Sequence, residues 1–478
     1  MHTITRRNGQ IEISPAPLGV SEVLTFEYKW KPKVEKKIFN RKTGQMMSIF
    51  VDGVVEKEDK ELFFHDIGND KVTTYIGMES RVIDWFYQSG MDYQIIDKTS
   101  MVGAPVLSNK IYDGLHSDQV LAAKKLLEYK YCNGGMIEAA TNAGKTYIIA
   151  AICRAFAGQT GLIVTNRQTV AKRLYGSLKD LCPGNKIGIY IADTKKDGDM
   201  LIITAASLEK IDRNKISVII FDEVHGASGE KRSQDIARFN RSYKYGLSAT
   251  IENTFNGMHN YLEALFGPVV FRLTDKELED MSRAAPLDIY VMNVDGGPAS
   301  SSKMQDLTLE KKGIWYNKYR NKVLKECLDY IPSDQQALVF VRTEYHMNHL
   351  KEFFLKDFEI YHAKLPKKEK DRLLEGFNTG SIKRIISTDS LAEGVDPKAL
   401  FVVANANWGQ SDVSVSQKAG RNRRLADGKN RGIIIDFNDA WDPRYANKAK
   451  SRIQKYHNRG YTVIEPCSPK QIAQLFER

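Results

Sequence analysis

Apolar residues in the first half of the chain fall into short uninterrupted runs, separated by longer stretches in which they return at helical spacing. Gly161–Thr165, Leu201–Thr204, Val218–Phe221 and Tyr245–Leu247 are such runs. A brief, continuous apolar run predicts a strand buried on both faces. Between them, Gln119–Tyr129 and Gln168–Leu181 carry the 3.6-residue period of a helix with one apolar face. Alternation of this kind over about 114–266 predicts a parallel sheet covered by helices on both sides. The pattern pauses at the Gly-, Pro- and Ser-rich stretch Gly296–Ser302, which reads as a linker or exposed loop. It resumes with a long helix around Leu309–Tyr330 and strands at Ala337–Val341, Arg384–Ser387, Leu400–Ala404 and Gly432–Phe437. The first ~105 residues differ. β-type runs at Val23–Tyr28, Met47–Val51 and Glu61–His65 precede a helix near Met78–Ser89 and a strand at Tyr93–Ile96, a small α+β module. The expected layout is therefore 1–105, 106–295 and 296–440, followed by a C-terminal extension, 441–478, packed on the second α/β domain. No solenoid repeat runs through it.

Composition changes this picture little. At 478 residues the chain is long enough for about three domains of roughly 100–200 residues. Hydrophobic and charged fractions of 42% and 27% are those of a soluble globular protein. No run approaches the ~18 apolar residues of a membrane span, and the N-terminal MHTITRRNGQ has no apolar signal core. The five cysteines are scattered without a CxxC pair, which speaks against a zinc ribbon or a disulfide framework. A reducing, cytoplasmic setting is expected, the host cytoplasm if the chain is phage-encoded. Net charge is +11, while the first hundred residues hold 14 basic against 15 acidic side chains, so the excess lies beyond them. Such a balance suits a polyanionic partner, and equally a solvated surface.

The chemistry begins at Glu138-Ala-Ala-Thr-Asn-Ala-Gly-Lys-Thr146, where a loop enters a helix. Unpaired N–H groups at a helix start converge on one point that can hold a phosphate chain. Thr141, Asn142, Ala143 and Gly144 would line it, with Gly144 allowing close backbone approach. Lys145 would reach the terminal phosphates and Thr146 would ligate magnesium. The first glycine of the usual GxxxxGK[ST] pattern is Ala139 here, and Asn142 must take over a glycine-like turn, which asparagine tolerates. Val218-Ile-Ile-Phe-Asp-Glu-Val-His225 is an apolar run ending in paired carboxylates. At the end of a strand beside the phosphate loop, Asp222 would meet magnesium and Glu223 the attacking water.

Further stretches resemble, in order, the motifs of the superfamily two helicases over about Leu115–Phe437. Leu115-His-Ser-Asp-Gln119 is similar to the adenine-reading element, with Gln119 as the base contact and His116 in place of the usual arginine. Val164-Thr-Asn-Arg-Gln-Thr169 resembles motif Ia, Ile203–Leu208 the next backbone-contact motif, and Gly246-Leu-Ser-Ala-Thr250 motif III. Ala337–Arg342 is similar to motif IV, Ile385–Asp396 to motif V, and Gln417-Lys-Ala-Gly-Arg-Asn-Arg-Arg424 to motif VI. The resemblance implies two tandem RecA-like domains using ATP and magnesium. Gly394 and Asp396 would join the nucleotide site. Gln417, Arg421 and Arg424 would complete it, the two arginines as arginine fingers. Thr165, Arg167, Thr204, Ser207, Arg342 and Thr388 would contact the nucleic-acid backbone without reading sequence. His225, Ser248 and Thr250 would couple the two sites. Lys418 and Arg423 read as ordinary surface cations.

Within the superfamily the chain most resembles the phage UvsW recombination helicases and the XPB-like translocases, on its DEVH box, its GLSAT motif and the layout of its N-terminal module. That implies an ATP-driven helicase for branched DNA such as forks and four-way junctions, acting in recombination, repair or replication; a monomer is expected. A duplex translocase that does not part strands and an RNA helicase are the rival readings. Substrate preference is expected from Lys29–Lys42, seven basic residues against one acidic, interleaved with Trp30 and Phe39. The basic tail from Trp441 would flank the track, and any strand-splitting wedge would be short, around Trp408, or lie elsewhere.

Overall fold

A computed structural model of the chain describes residues 1–30, 32–40, 45–52, 54–227, 229–251, 257–298, 306–388, 391, 400–407, 422–425, 429 and 431–476, by backbone alone at 33–40, 45–52, 230 and 306. Contacts divide it into two compact units. One is Met1–Glu138 with Lys145–Arg272, the other Ala139–Gly144 with Leu273–Arg478.

The first unit holds an eight-stranded sheet in the order Thr194–Lys196, Ile187–Ile191, Met200–Thr204, Gly161–Thr165, Val218–Asp222, Tyr243–Ser248, Gly134–Ala139, Val269–Leu273. Its central strands run parallel. Ile163, Ile202, Ile220 and Phe221 are fully buried, so these strands are apolar on both faces because both faces are covered. Gln168–Leu181 is a helix with the predicted bounds. The helix predicted from Gln119 starts two residues earlier, at Ser117, because His116 and Gln119 form a capping box.

The N-terminal part contributes a five-stranded sheet, ordered Phe63–Asp66, Lys71–Tyr75, Gln10–Ser14, His2–Arg7, Tyr93–Asp97. Three of these strands, at His2, Gln10 and Lys71, were not foreseen, although Thr-Ile-Thr and Ile-Glu-Ile alternate as a half-buried strand should. Thr25–Trp30 pairs with Glu56–Glu61, and Lys33–Asn40 with Gln45–Asp52, as two-stranded ribbons. Much of the basic stretch Lys29–Lys42 is thus one side of a β-ribbon. The module shares its core with residues flanking the larger sheet: Ile4, Ile11, Met78, Val82 and Phe86 pack with Cys132, just ahead of Gly134–Ala139, and with Ala264 of the helix His259–Phe266. Gly77 sits so close to the helix His259–Phe266 that a Cβ there would lie 2.0 Å from the Glu263 carbonyl oxygen. Arg81 pairs with Glu263 across the same seam.

The second unit carries a parallel seven-stranded sheet: Glu359–Tyr361, Arg384–Thr388, Gln336–Val341, Leu400–Asn405, Gly432–Asn438, Leu287–Asn293, Thr462–Cys467. It includes Leu287–Asn293, which lies ahead of the boundary expected at 296. Composition marks the loop after this strand, whereas its hydrogen bonds run to Gly432–Asn438 and Thr462–Cys467. The C-terminal extension supplies an edge strand and the helix Pro443–Asn458, whose Arg452 makes a buried pair with Asp436 at 3.0 Å. Of the basic residues of this extension, Arg452 therefore serves the interior.

The single helix predicted over Leu309–Tyr330 is broken. Asp306–Glu310 continues into a π turn, Lys311–Trp315, and a new helix runs Lys318–Asp329. The cause is Asn317, a buried N-cap whose Oδ1 accepts from the Tyr319 and Arg320 N–H groups at 3.0 and 3.2 Å. Its Nδ2 donates to the carbonyls of Gly296 and Gly313, and a Cβ at Gly313 would meet the Trp441 ring at 2.0 Å.

Candidate nucleotide and nucleic-acid sites

The phosphate loop joins the strand Gly134–Ala139 to the helix Lys145–Ala155. Asn142 has φ +75° and Gly144 φ +81°, so asparagine does take the left-handed turn that its sequence position demanded. Ala143 is buried, and its carbonyl accepts from the Arg283 guanidinium at 3.1 Å, while Thr141 is half-buried. Lys145 and Thr146 open the helix, where the first N–H groups have no intrahelical partners.

The Lys145 ammonium lies 4.0 Å from the Glu223 carboxylate. Asp222 ends its strand buried, at 8% exposure, and Glu223 follows with φ +56°, a left-handed backbone rare outside glycine. Burial, then the neighbouring Glu223 charge, push the Asp222 carboxyl up. Burial works against the Glu223 charge too, but Lys145, His225 and Ser248 outweigh it and hold that carboxyl down. At Asp222, Lys145 and Arg173 only partly offset the upward push, and a buried carboxylate beside a lysine-bearing phosphate loop is a residue that could hold magnesium. Among the described residues no cluster of three or more His, Cys, Asp or Glu that could hold a metal ion exists.

The three expected coupling residues meet at this carboxylate. Ser248 Oγ lies 3.1 Å from Glu223 Oε2, 2.9 Å from His225 Nδ1 and 3.1 Å from the Thr250 carbonyl, and the Thr250 N–H donates back to it. One hydroxyl proton is thus shared among competing acceptors. Sequence reading passed over Asn166, which sits inside the motif Ia stretch. Its Nδ2 donates to the Glu223 carbonyl at 3.2 Å, and a Cβ at Gly226 would collide with it. The only hint was a polar residue directly after a buried strand.

Gln119 is buried, with its Oε1 accepting from the His116 N–H at 3.0 Å. The proposed track residues divide. Arg167 and Arg342 are exposed, and Thr204, Ser207 and Thr388 half-buried. Thr165 is 1% exposed and its hydroxyl donates to the Arg167 carbonyl, so it shapes the turn that presents Arg167.

In the second unit, Gly394, Asp396, Trp408, Gln417, Lys418 and Arg421 lie outside the described residues. Arg424 is half-buried. Arg423 is no surface cation: at 1% exposure it pairs with Asp275 at 2.6 Å, and Asp275 also holds Arg459 at 3.0 Å. The Ala285 N–H donates to the Arg423 carbonyl, and Asn422 donates to the carbonyls of Phe401 and Ile433. The backbone entering Arg424 is pinned by both neighbours.

Comparison with known proteins adds the following. The family described as "Type III restriction enzyme, res subunit" matches residues 113–253, and "Helicase conserved C-terminal domain" matches 319–426. The chain is similar to the ATP-dependent RNA helicase eIF4A of Kluyveromyces lactis, at 27% identity over 183 residues, 37% of this chain and 43% of that protein. The eIF4A of Candida albicans is 31% identical over 183 residues, 36% and 43% of the two. The chain thus spans less than half the length of these curated relatives. In fold it resembles Saccharomyces cerevisiae Dbp5 bound to RNA and ADP BeF3, with a TM-score of 0.56 at 16% identity over 79% of this chain and 97% of that one. It also resembles the DUF1998 helicase MrfA bound to DNA, with a TM-score of 0.53 at 17% identity over 76% and 53%.

Proposed function

We propose, from the premise that the two domain matches and the parallel-sheet fold support a superfamily two helicase, that this chain is an ATP- and magnesium-dependent nucleic-acid motor acting on branched DNA. The observation that carries the ATPase reading is Glu223, held charged in a left-handed backbone between Lys145 and the Ser248–His225 pair. In this reading the loop Thr141–Gly144 and Lys145 hold the phosphates, Thr146 and Asp222 hold magnesium, and Gln119 faces the base. Glu223 orients a water by accepting its hydrogen bond. Arg421 and Arg424 would neutralise charge on the terminal phosphate, with Gln417, Gly394 and Asp396 completing the site. Magnesium supplies further charge neutralisation on the phosphates when bound.

The DEVH box, in place of DEAD, and the resemblance of the sequence to UvsW and XPB-like proteins support DNA, and the basic stretch Lys29–Lys42, of which Lys33–Asn40 is one strand of a β-ribbon, supports a branch preference. An RNA helicase is the second reading, because the curated relatives named above are RNA helicases. The test is ATP turnover with single-stranded, duplex, forked and four-way-junction DNA beside matched RNA. Stimulation greatest by junction DNA is expected. Stimulation by RNA alone would overturn the DNA reading, and turnover indifferent to any nucleic acid would overturn the motor.

A further inference from the structure

The break in the helix predicted over Leu309–Tyr330 has exposed a line of aromatic rings. Because the π turn Lys311–Trp315 gives way to a fresh helix at Asn317, Tyr316 and Tyr319 face solvent, 44% and 50% exposed. The next segment, Glu344–Phe353, adds Tyr345 and Phe353 at 70% and 58% exposed. Tyr316, Tyr345 and Phe353 are joined through Trp315 and His349. Tyr345 stacks on Trp315 with centroids 6.3 Å apart and planes 10° from parallel. Trp315 touches Tyr316 at 6.4 Å, Tyr316 meets His349 edge-on at 4.9 Å, and His349 meets Phe353 at 4.9 Å.

The line leads to a residue already expected on the track. Glu310, buried, accepts from the Trp315 indole N–H at 3.0 Å and pairs with Arg342 at 3.5 Å. Trp315 is therefore a fixed base plate, anchored from below and bearing Tyr345 on its face. Cations accompany the rings: Lys311 stands over the Trp315 ring at 5.8 Å, Lys318 acts on His349, and Lys312 and Lys322 are exposed on the same stretch of chain. Of the acidic neighbours, Glu344 is engaged by Lys364 at 3.0 Å, and Glu352 remains exposed near His349. Large exposed rings that face water waste apolar area, and lone ones are ordinary. A connected line rimmed by cations is what unpaired bases and their phosphates fit, since every base offers a π face. π turns are also frequent at functional sites.

We infer that Tyr345, Tyr316 and Phe353, on the Trp315 base plate, form a stacking platform for the unpaired bases of a single nucleic-acid strand. The platform rests on the nucleic-acid reading above and gives it a discriminating element: duplex bases are already stacked and cannot use it. Arg342 and the lysines hold the strand's phosphates, and the rings hold its bases without regard to sequence.

The test uses the full chain and compares wild type, the triple variant Y316A/Y345A/F353A and its partner Y316F/Y345F. The probes are a fluorescent oligo-dT and a blunt duplex of equal length, in a salt series. The triple variant should bind oligo-dT at least about tenfold more weakly, while duplex affinity stays within about twofold. The phenylalanine pair should keep wild-type affinity. The salt slope for oligo-dT should not change, because stacking releases no counterions. Unchanged oligo-dT binding by a folded triple variant overturns the platform and leaves the motor reading intact. An equal loss on single strand and duplex also overturns it, by making the patch a general contact. If wild type self-associates and the triple variant does not, with oligo-dT binding equal, the patch is a protein interface and the inference fails. A wild type that binds neither probe refutes the nucleic-acid reading itself.

Discussion

At the scale of single residues, Glu223 concentrates the chemistry. Its carboxylate is held charged by Lys145, His225 and Ser248, so Glu223→Gln keeps the shape and removes the acceptor that orients water. That variant should retain nucleotide affinity, through Lys145 and Asp222, and lose most turnover; steady-state ATPase beside nucleotide titration checks it, and near-normal turnover would remove Glu223 from the mechanism. Ser248→Ala is a finer probe. Its hydroxyl has one proton to share between Glu223, 3.1 Å away, and the Thr250 carbonyl, also 3.1 Å away, with His225 at 2.9 Å. Removing it should leave unstimulated hydrolysis within a few-fold yet reduce the stimulation by nucleic acid. A variant with wild-type stimulation would show that the link runs elsewhere. Arg421→Ala should lower hydrolysis by ~10³ or more while nucleotide-free DNA binding persists, as an arginine finger predicts. Lost DNA affinity with unchanged hydrolysis per complex would assign Arg421 to the track.

At the scale of elements, buried charge decides what local pattern cannot. Arg423 and Asp275 are 1% and 3% exposed, so neutralising Asp275 leaves the buried Arg423 only the longer carboxylate contact to Glu279, at 3.5 Å, and also takes the partner from Arg459. Asp275→Asn should destabilise the second unit by about 3–5 kcal/mol, read from urea unfolding. A loss under ~1 kcal/mol would mean that the pair contributes little. In the N-terminal module, Glu79 is buried beside Arg6 at 2.6 Å. Burial raises its carboxyl, Arg6 opposes, and the result is a pKa of about 7. A carboxyl with a raised native pKa adds stability that is complete below its unfolded value and is lost as pH climbs through about 7. The wild-type melting temperature should therefore fall between pH 5 and pH 8 relative to Glu79→Gln. Parallel pH profiles for the two would show that Arg6 keeps Glu79 ionised throughout.

At the scale of the whole molecule, the N-terminal module is tied to its neighbour. Removing residues 1–105 would strip Ile4, Ile11, Met78, Val82 and Phe86 from a core that also contains Cys132 and Ala264. It would also leave Glu263 without Arg81. The truncated chain should aggregate or melt well below the intact protein. Shortening only the ribbon Lys33–Asp52 should leave a soluble protein, and would be the cleaner way to ask whether the module prefers branches. A soluble, active 106–478 fragment would refute this dependence.

Much was legible in the chain alone, because central parallel strands must be apolar on both faces and helices covering them must carry one apolar stripe. Gly161–Thr165, Val218–Asp222 and Gln168–Leu181 needed nothing more. The phosphate loop was equally local, since a left-handed turn at Asn142 and an unpaired helix start are properties of a few consecutive residues. Contacts distant in sequence decided the remainder. Leu287–Asn293 belongs to its sheet through strands more than a hundred residues later, and linker composition carries no information on that pairing. Arg423 looks like any cation until Asp275 is beside it. The helix expected through Leu309–Tyr330 breaks because Asn317 finds Gly296 and Gly313, and because Gly313 admits the Trp441 ring. Periodicity counts where apolar residues recur, whereas a buried polar side chain is settled only by the partner that the fold brings to it.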